Sequence, residues 1–243
     1  MNLVLDIGNT RIKYAVFEGF TCLETDVLSQ KNAVKQLENI FKNFPLITHT
    51  TLASVGKLSV MVLEYLHQKT TIFHLTHQSK FPFKNKYSTP ETLGIDRMVT
   101  AAGAVFSYPN QNRLIIDAGT CITYDLVTKN NEYLGGAISP GIGIRLKALH
   151  QYTEKLPLVE AQFPENYIGN STKTSIQNGV LQGIIHEIEG FIKQYSDDFE
   201  NLTVILTGGD TIFLAKQLKS SIFANSNFLI NSLHQLFLYN SKK

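Results

Sequence analysis

The chain has 243 residues, 43% of them apolar, and sets 22 Lys and Arg against 20 Asp and Glu for a net charge of +2. That is ample for a sizeable core and too even to present a broad field to nucleic acid or an anionic membrane surface, so neither is expected as a partner and any anion must be held locally. Two cysteines, Cys22 and Cys121, make neither a disulfide framework nor a structural zinc site, and no segment approaches the roughly 18 apolar residues of a membrane span, so a soluble, unexported, cytoplasmic chain is expected.

In chain order, residues 2 to 7 and 12 to 18 read as strands, and "NAVKQLENIFKN" (32 to 43) as a helix with Val34, Leu37, Ile40 and Phe41 on one face. "LITHTTLASV" from 46, a helix over 59 to 69 and "TTIFHL" from 70 follow. The polar, proline-bearing stretch "KFPFKNKYSTPETLG" (80 to 94) is long for a connection, which makes it a functional suspect. A helix over 94 to 107 leads to "NRLIIDAG" and "ITYDLV", then helices over 142 to 151 and 174 to 196, "LTVILTGG" from 202 and a helix over 211 to 220. Short β-branched runs alternating with helices make an α/β chain.

The first hairpin recurs. Setting "LVLDIGNTRIKYAVF" from 3 beside "LIIDAGTCITYDLV" from 114 puts Asp6 on Asp117, Gly8 on Gly119 and, after one gap, Thr10 on Thr120, Ile12 on Ile122 and Tyr14 on Tyr124. One Asp-x-Gly turn is ordinary hairpin chemistry, but two in register, each after three aliphatic residues, mark a duplicated unit. Halves spanning 1–112 and 113–243 would bring their strand tips to a shared cleft, where open α/β sheets bind ligands. Glycine after a strand lets the backbone approach a ligand, the turn amides and the hydroxyls of Thr10, Thr120 and Thr123 can donate to phosphate oxygens, and Lys13 adds positive charge. Carboxylates at Asp6 and Asp117 would repel a bare polyphosphate, so a cation between them and the phosphates is implied.

Three further segments share this character. "PETLGIDRMVTAAGAVF" (90 to 106) places Gly94, Asp96 and Arg97 at the start of an amphipathic helix, where the helix dipole alone also favours an acidic residue. "LGGAISPGIGIRLKAL" (134 to 149) sets glycines before a helix, and "LTVILTGGD" (202 to 210) ends a strand on Thr207, Gly208, Gly209 and Asp210. Each alone could be a plain turn. No glycine-rich stretch runs into Lys-Ser or Lys-Thr at P-loop spacing and no His-Arg-Asp occurs, which closes two other routes to ATP chemistry.

Taken in order from residue 6 to 210, "DIGNTRIK", "GIDR", "DAGTCITYD", "GGAISPG" and "TGGD" resemble the motif set of the type III pantothenate kinases, in the acetate and sugar kinase, Hsp70 and actin superfamily. The resemblance implies duplicated ribonuclease H-like (actin-like ATPase) domains with a cleft between the two halves. It implies ATP-dependent phosphorylation of pantothenate to 4'-phosphopantothenate, the first step of coenzyme A biosynthesis. By position, Asp96 is similar to the family's proton acceptor. Asp6, Ile7, Gly8, Asn9, Thr10, Arg11, Ile12 and Lys13 look like the first ATP phosphate loop, with Thr120 the matching contact from the second half. Asp117 resembles the residue that holds a monovalent cation, K+ or NH4+, and Asp6 the one that serves the Mg2+ of the nucleotide. Tyr87, Gly94, Ile95, Asp96, Arg97 and Thr172 look like pantothenate contacts, with Arg97 able to fork the substrate carboxylate. A homodimer, its pantothenate site completed across the interface, is also implied. The alternatives are a non-catalytic regulatory member of the family and a phosphatase of the superfamily. Asp6, Lys13, Asp96, Arg97 and Asp117 together argue for activity, and "GIDR" argues against the phosphatase.

Where the family's second motif carries alanine after its threonine, this chain has Cys121, expected to be buried and inert. "HLTH" (74 to 77) has no third ligand for a metal and reads as ordinary strand or loop. In the helix over 174 to 196, Ile176, Val180, Ile184 and Ile188, widened by Leu181, Ile185 and Ile192, form an apolar stripe. Gly179, Gly183 and Gly190, each costing about 1 kcal/mol against alanine, suggest that this helix packs closely on something.

Overall fold

The computed structural model describes residues 1–8, 12–54 and 58–241. They form two compact units, Met1–Ser107 with Asn227–Lys243, and Tyr108–Ser226.

The first unit contains β1 (Asn2–Ile7), β2 (Ile12–Glu18), β3 (Thr21–Leu28), α1 (Ala33–Asn43), β4 (His49–Ser54), α2 (Val60–Lys69), β5 (Thr71–His74) and the two-residue β6 (Lys84–Asn85), then α3 (Ile95–Ser107). Its sheet runs β3-β2-β1-β4-β5, antiparallel across the β1-β2-β3 meander and parallel from β1 through β4 to β5. β1 is apolar on both faces because both are covered. Leu3, Leu5 and Ile7 meet Leu37 and Ile40 of α1 and Val62 and Leu66 of α2. Val4 points the other way, into a cluster with Val99 and Ala102 of α3.

The second unit contains β7 (Asn112–Ala118), β8 (Cys121–Val127), β9 (Glu132–Pro140), α4 (Ile142–Gln151), α5 (Thr172–Asp198), β10 (Leu202–Thr207), α6 (Thr211–Ala215) and β11 (Phe223–Ala224). Its strands run β11-β10-β7-β8-β9, with the same parallel and antiparallel senses as their counterparts in the first unit. The order and senses repeat the first unit strand for strand, so the repeat read from two short motifs extends through five strands. The expected apolar stripe of α5 is buried throughout, packed with Leu114, Ile116, Val204 and Leu206 of the sheet.

The last helix, α7 (Phe228–Ser241), belongs to the first unit. Leu233 and Leu236 enter the cluster of Val4 and Val99, and a Cβ on Gly103 of α3 would collide with Ser232 Oγ. His234 stacks on Phe17 at 4.1 Å between ring centroids. Its Nε2 donates to Gly19 O at 2.6 Å and its Nδ1 faces Asn2 Nδ2 at 3.0 Å, which makes it the neutral imidazole. The units therefore differ from linear halves at 1–112 and 113–243, chiefly by this returning helix.

Two element bounds moved for identifiable reasons. α5 begins at Thr172, two residues early, because Ser171 and Thr174 form a capping box. α6 stops at Ala215 instead of running to 220, because the Glu189 carboxylate takes the amides of Lys219 at 2.6 Å and Ser220 at 3.1 Å. Among the described residues no helix is long and apolar enough to cross a membrane.

Candidate active site

In the first unit, the chemistry gathers at the C-terminal end of β1. Asp6 pairs in register with Lys13 of β2 and with Ala53 of β4. Burial, above all, pushes the Asp6 carboxyl up to about 6; the Lys13 ammonium pulls it down, and the Asp96 carboxylate adds to the rise. Asp6, Lys13 and Asp96 thus share one electrostatic neighbourhood although Asp96 lies far along the chain. Asp96 sits in the first turn of α3, where its Oδ1 accepts a hydrogen bond from Arg97 N at 2.8 Å. That carboxylate lies close to Gly94, and a Cβ there would collide with Asp96 Oδ1, so a larger residue at 94 would displace the Asp96 carboxylate from this position. Arg97 is buried, with its guanidinium carbon 5.7 Å from the centroid of the Tyr87 ring.

In the second unit, three segments converge at the end of β7. Asp117 is in register with Thr123 of β8 and Thr207 of β10. Gly119 N donates to Cys121 O at 2.9 Å, closing the turn, and Gly141 N donates to Thr120 O at 3.0 Å. A Cβ at Gly141 would collide with the carbonyls of Gly119 and Thr120. Gly208 takes φ +99°, and a Cβ there would strike Ala118 O and Asp117 Oδ1, while Asp210 N donates to Ala118 O at 3.0 Å. Burial raises the carboxyl of Asp210. Beside this turn lies a cavity of about 500 Å³, walled in part by Ala161, Gly209, Ile212 and Lys216. Phe163 and Phe213 also line it and stack on each other at 4.8 Å between centroids.

The donor sets can be tested against metals. No group of three or more His, Cys, Asp or Glu that could hold a metal ion occurs among the described residues. A magnesium–nucleotide does not need one, since Mg2+ usually takes one or two carboxylates and completes its shell with phosphates and water. Asp6, a carboxylate whose burial leaves its charge undercompensated, fits that role. Thr207 Oγ1 is buried without a hydrogen-bond partner among the described residues, in register with the Asp117 carboxylate. An orphaned oxygen beside a carboxylate suits a hard cation.

A family model described as type III pantothenate kinase matches residues 2–194. The chain belongs to the type III pantothenate kinase family. A type III pantothenate kinase of Flavobacterium johnsoniae is 51% identical over 239 residues, covering 98% of each chain. Among solved structures, a Campylobacter jejuni protein described as belonging to the Baf family of transcriptional activators aligns with a TM-score of 0.66 at 22% identity, over 99% of this chain and 100% of its own. The activator of 2-hydroxyisocaproyl-CoA dehydratase from Clostridium difficile, solved with bound ADPNP, aligns at 0.51 and 13% identity over 100% of this chain and 97% of its own. These two likenesses concern the fold, which is the duplicated ribonuclease H-like fold of the actin-like ATPases.

Against the pantothenate kinase motif set, the first unit brings together Asp6, Lys13 and Asp96, and separately Tyr87 with Arg97. Ile7 and Ile12 are buried and face each other in register at the ends of β1 and β2. Asn9, Thr10 and Arg11 lie outside the described residues. In the second unit Thr120 is exposed at the turn beside Asp117. Thr172 opens α5 and lines a surface groove with Leu149, Leu156, Ser175, Ile176 and Gly179. Cys121, expected to be buried, is exposed: it stands at the lip of the turn, where β8 begins outside the packed part of the sheet. The Phe163–Phe213 wall was not legible in advance, because the two rings meet only through the fold and neither stands in a recognisable motif.

Proposed function

We propose that the chain is an ATP-dependent pantothenate kinase that transfers the γ-phosphoryl group to the primary hydroxyl of pantothenate, giving 4'-phosphopantothenate, ADP and a proton, as the first step of coenzyme A biosynthesis. Family membership supports the reaction. The observation that supports the residue assignment is the Asp6–Lys13–Asp96 neighbourhood, in which the Lys13 ammonium of β2 and the Asp96 carboxylate at the start of α3 both act on the Asp6 carboxylate near the end of β1.

Asp96 accepts the hydroxyl proton as the pantothenate oxygen forms its bond to the γ-phosphorus and the bond to the ADP oxygen breaks. The hydrogen bond from Arg97 N holds the receiving carboxylate in one orientation. Because phosphoryl transfer passes through a loose transition state, positioning supplies most of the rate and the base a smaller share. Arg97, steadied over Tyr87, pairs with the substrate carboxylate, while Gly94 and Ile95 supply backbone beside it. The backbone from Ile7 and Gly8 onward, with Asn9, Thr10, Arg11, Ile12 and Lys13, holds phosphate oxygens, as does Thr120. The aromatic-walled cavity beside Gly209 takes the base of the nucleotide. Asp6 would hold the Mg2+ of a bound nucleotide, which would neutralise phosphate charge, and Asp117 with Thr207 would hold a monovalent cation, K+ or NH4+.

We read the protein as a homodimer in which Thr172 completes the pantothenate site of the partner. Supporting this, Gly179, Gly183 and Gly190 have no atom within 4 Å of where a Cβ would stand, so the face they mark is not filled by the described residues of its own chain. Tyr152, 87% exposed, lies beside it around an almost wholly apolar groove. The same reading makes it a cytoplasmic enzyme with no nucleic-acid or membrane partner. An ADP-release assay with pantothenate, magnesium and a potassium or ammonium salt tests the function: turnover is expected with wild type, and no turnover would overturn it.

A further inference from the structure

We propose that His77 and Asn240 are positioning residues for the acceptor side of the reaction, closing and pinning the loop that carries Tyr87 and delivers Gly94–Arg97. This rests on the pantothenate kinase reading above. After β5 the chain contributes no further strand to the first unit's sheet before α3, and Leu93 stands just ahead of the substrate motif. His77 Nε2 lies 2.8 Å from Leu93 O. A carbonyl only accepts, so the ring carries its proton on Nε2 and the bond closes the loop at its neck. Leu93 itself is 2% exposed, so the neck is fixed to the core. The turn from Thr76 to Ser79, with Thr76 N donating to Ser79 Oγ at 3.1 Å and Ser79 N donating to Thr76 O at 3.0 Å, sets the approach of the His77 ring.

A second tie comes from the far end of the chain. Asn240 of α7 accepts from Lys80 N at 2.9 Å and donates to Lys80 O at 3.0 Å. Its Nδ2 also donates to Leu236 O at 2.9 Å, which holds the side chain against its own helix. The loop is thus held by one side chain at its neck and by another just inside it. Phe81 and Phe83 pack against the cluster shared by α3 and α7, and Asn85 Oδ1 accepts from Tyr87 N at 2.9 Å. Tyr87 in turn lies under the Arg97 guanidinium, so the loop meets the substrate motif that it frames. Fixing these groups before substrate arrives removes ordering entropy that binding would otherwise have to supply.

The expected signature is a split between substrates. His77→Ala and Asn240→Ala each raise the pantothenate KM about 3- to 10-fold, the range of one or two neutral hydrogen bonds, and leave the ATP KM unchanged. His77→Gln, which can place an amide N–H at a similar reach, recovers most of the loss. In wild-type protein without substrate, the hydrogen-bonded amides of Lys80, Tyr87, Thr92 and Leu93 exchange slowly, and they exchange faster in both alanine variants. A wild type that does not turn over pantothenate contradicts the proposed function, while the exchange measurement still reads the ties themselves. An active wild type whose two alanine variants keep the pantothenate KM, or shift both KM values together, overturns the proposal, as does unchanged loop exchange.

Discussion

Asp6 occupies a position where its own charge is disfavoured: burial lifts its carboxyl to about 6 and Asp96 adds to the rise, with Lys13 as the opposing influence. A folded-state value above the unfolded one means that the carboxyl supports folding while protonated. That contribution is full below the unfolded value near 3.8 and is lost as the pH rises through 6. Ligand-free protein in chelator is therefore expected to gain on the order of 1–2 kcal/mol at pH 7.5 from Asp6→Asn, while losing kinase activity. Denaturant melts at pH 7.5 and pH 4 check this: the gap between variant and wild type should close at the lower pH. Asp6, Asp96 and Asp117 stand out in the sequence because each lies two residues from a glycine, at the end of a strand or the start of a helix. His77, Asn240, Phe163 and Phe213 do not, because each acquires its role from a residue distant in the chain.

At the scale of elements, periodicity recovered α1 to α6, α5 above all. It missed β3, whose "TCLETDVL" is mostly exposed and pairs only with β2 at the sheet edge, so no burial writes an apolar pattern into it. It also missed α7, where Phe228, Ile230, Ser232, Leu233, His234 and Leu236 are all buried and no charged residue marks an outer face. That helix comes close to α3 at Ser232, where a Cβ on Gly103 would collide with Ser232 Oγ and Cβ. Gly103→Ala is expected to cost about 1–3 kcal/mol by overpacking, despite alanine's better helix propensity, and thermal unfolding measures it. A stabilised variant would mean that the α3–α7 contact yields easily.

For the whole molecule, the repeat of two Asp-x-Gly hairpins foretold two like sheets, and the matching strand orders bear that out. The linear halves could not foretell the return of α7 to the first unit, since nothing in a terminal helix states which sheet will cover it. Assembly is the next level. Wild type is expected to sediment as a dimer at assay concentration, and Gly183→Lys, which sets like charges on the open face of α5, is expected to shift it to monomer with loss of pantothenate turnover. A fully active wild-type monomer would contradict that. The most direct test of the central assignment is steady-state ADP release from ATP and pantothenate by wild type and Asp96→Asn, with ATP binding measured in parallel. The account predicts a fall in kcat of about 100-fold with ATP affinity retained; undiminished turnover in Asp96→Asn would contradict it.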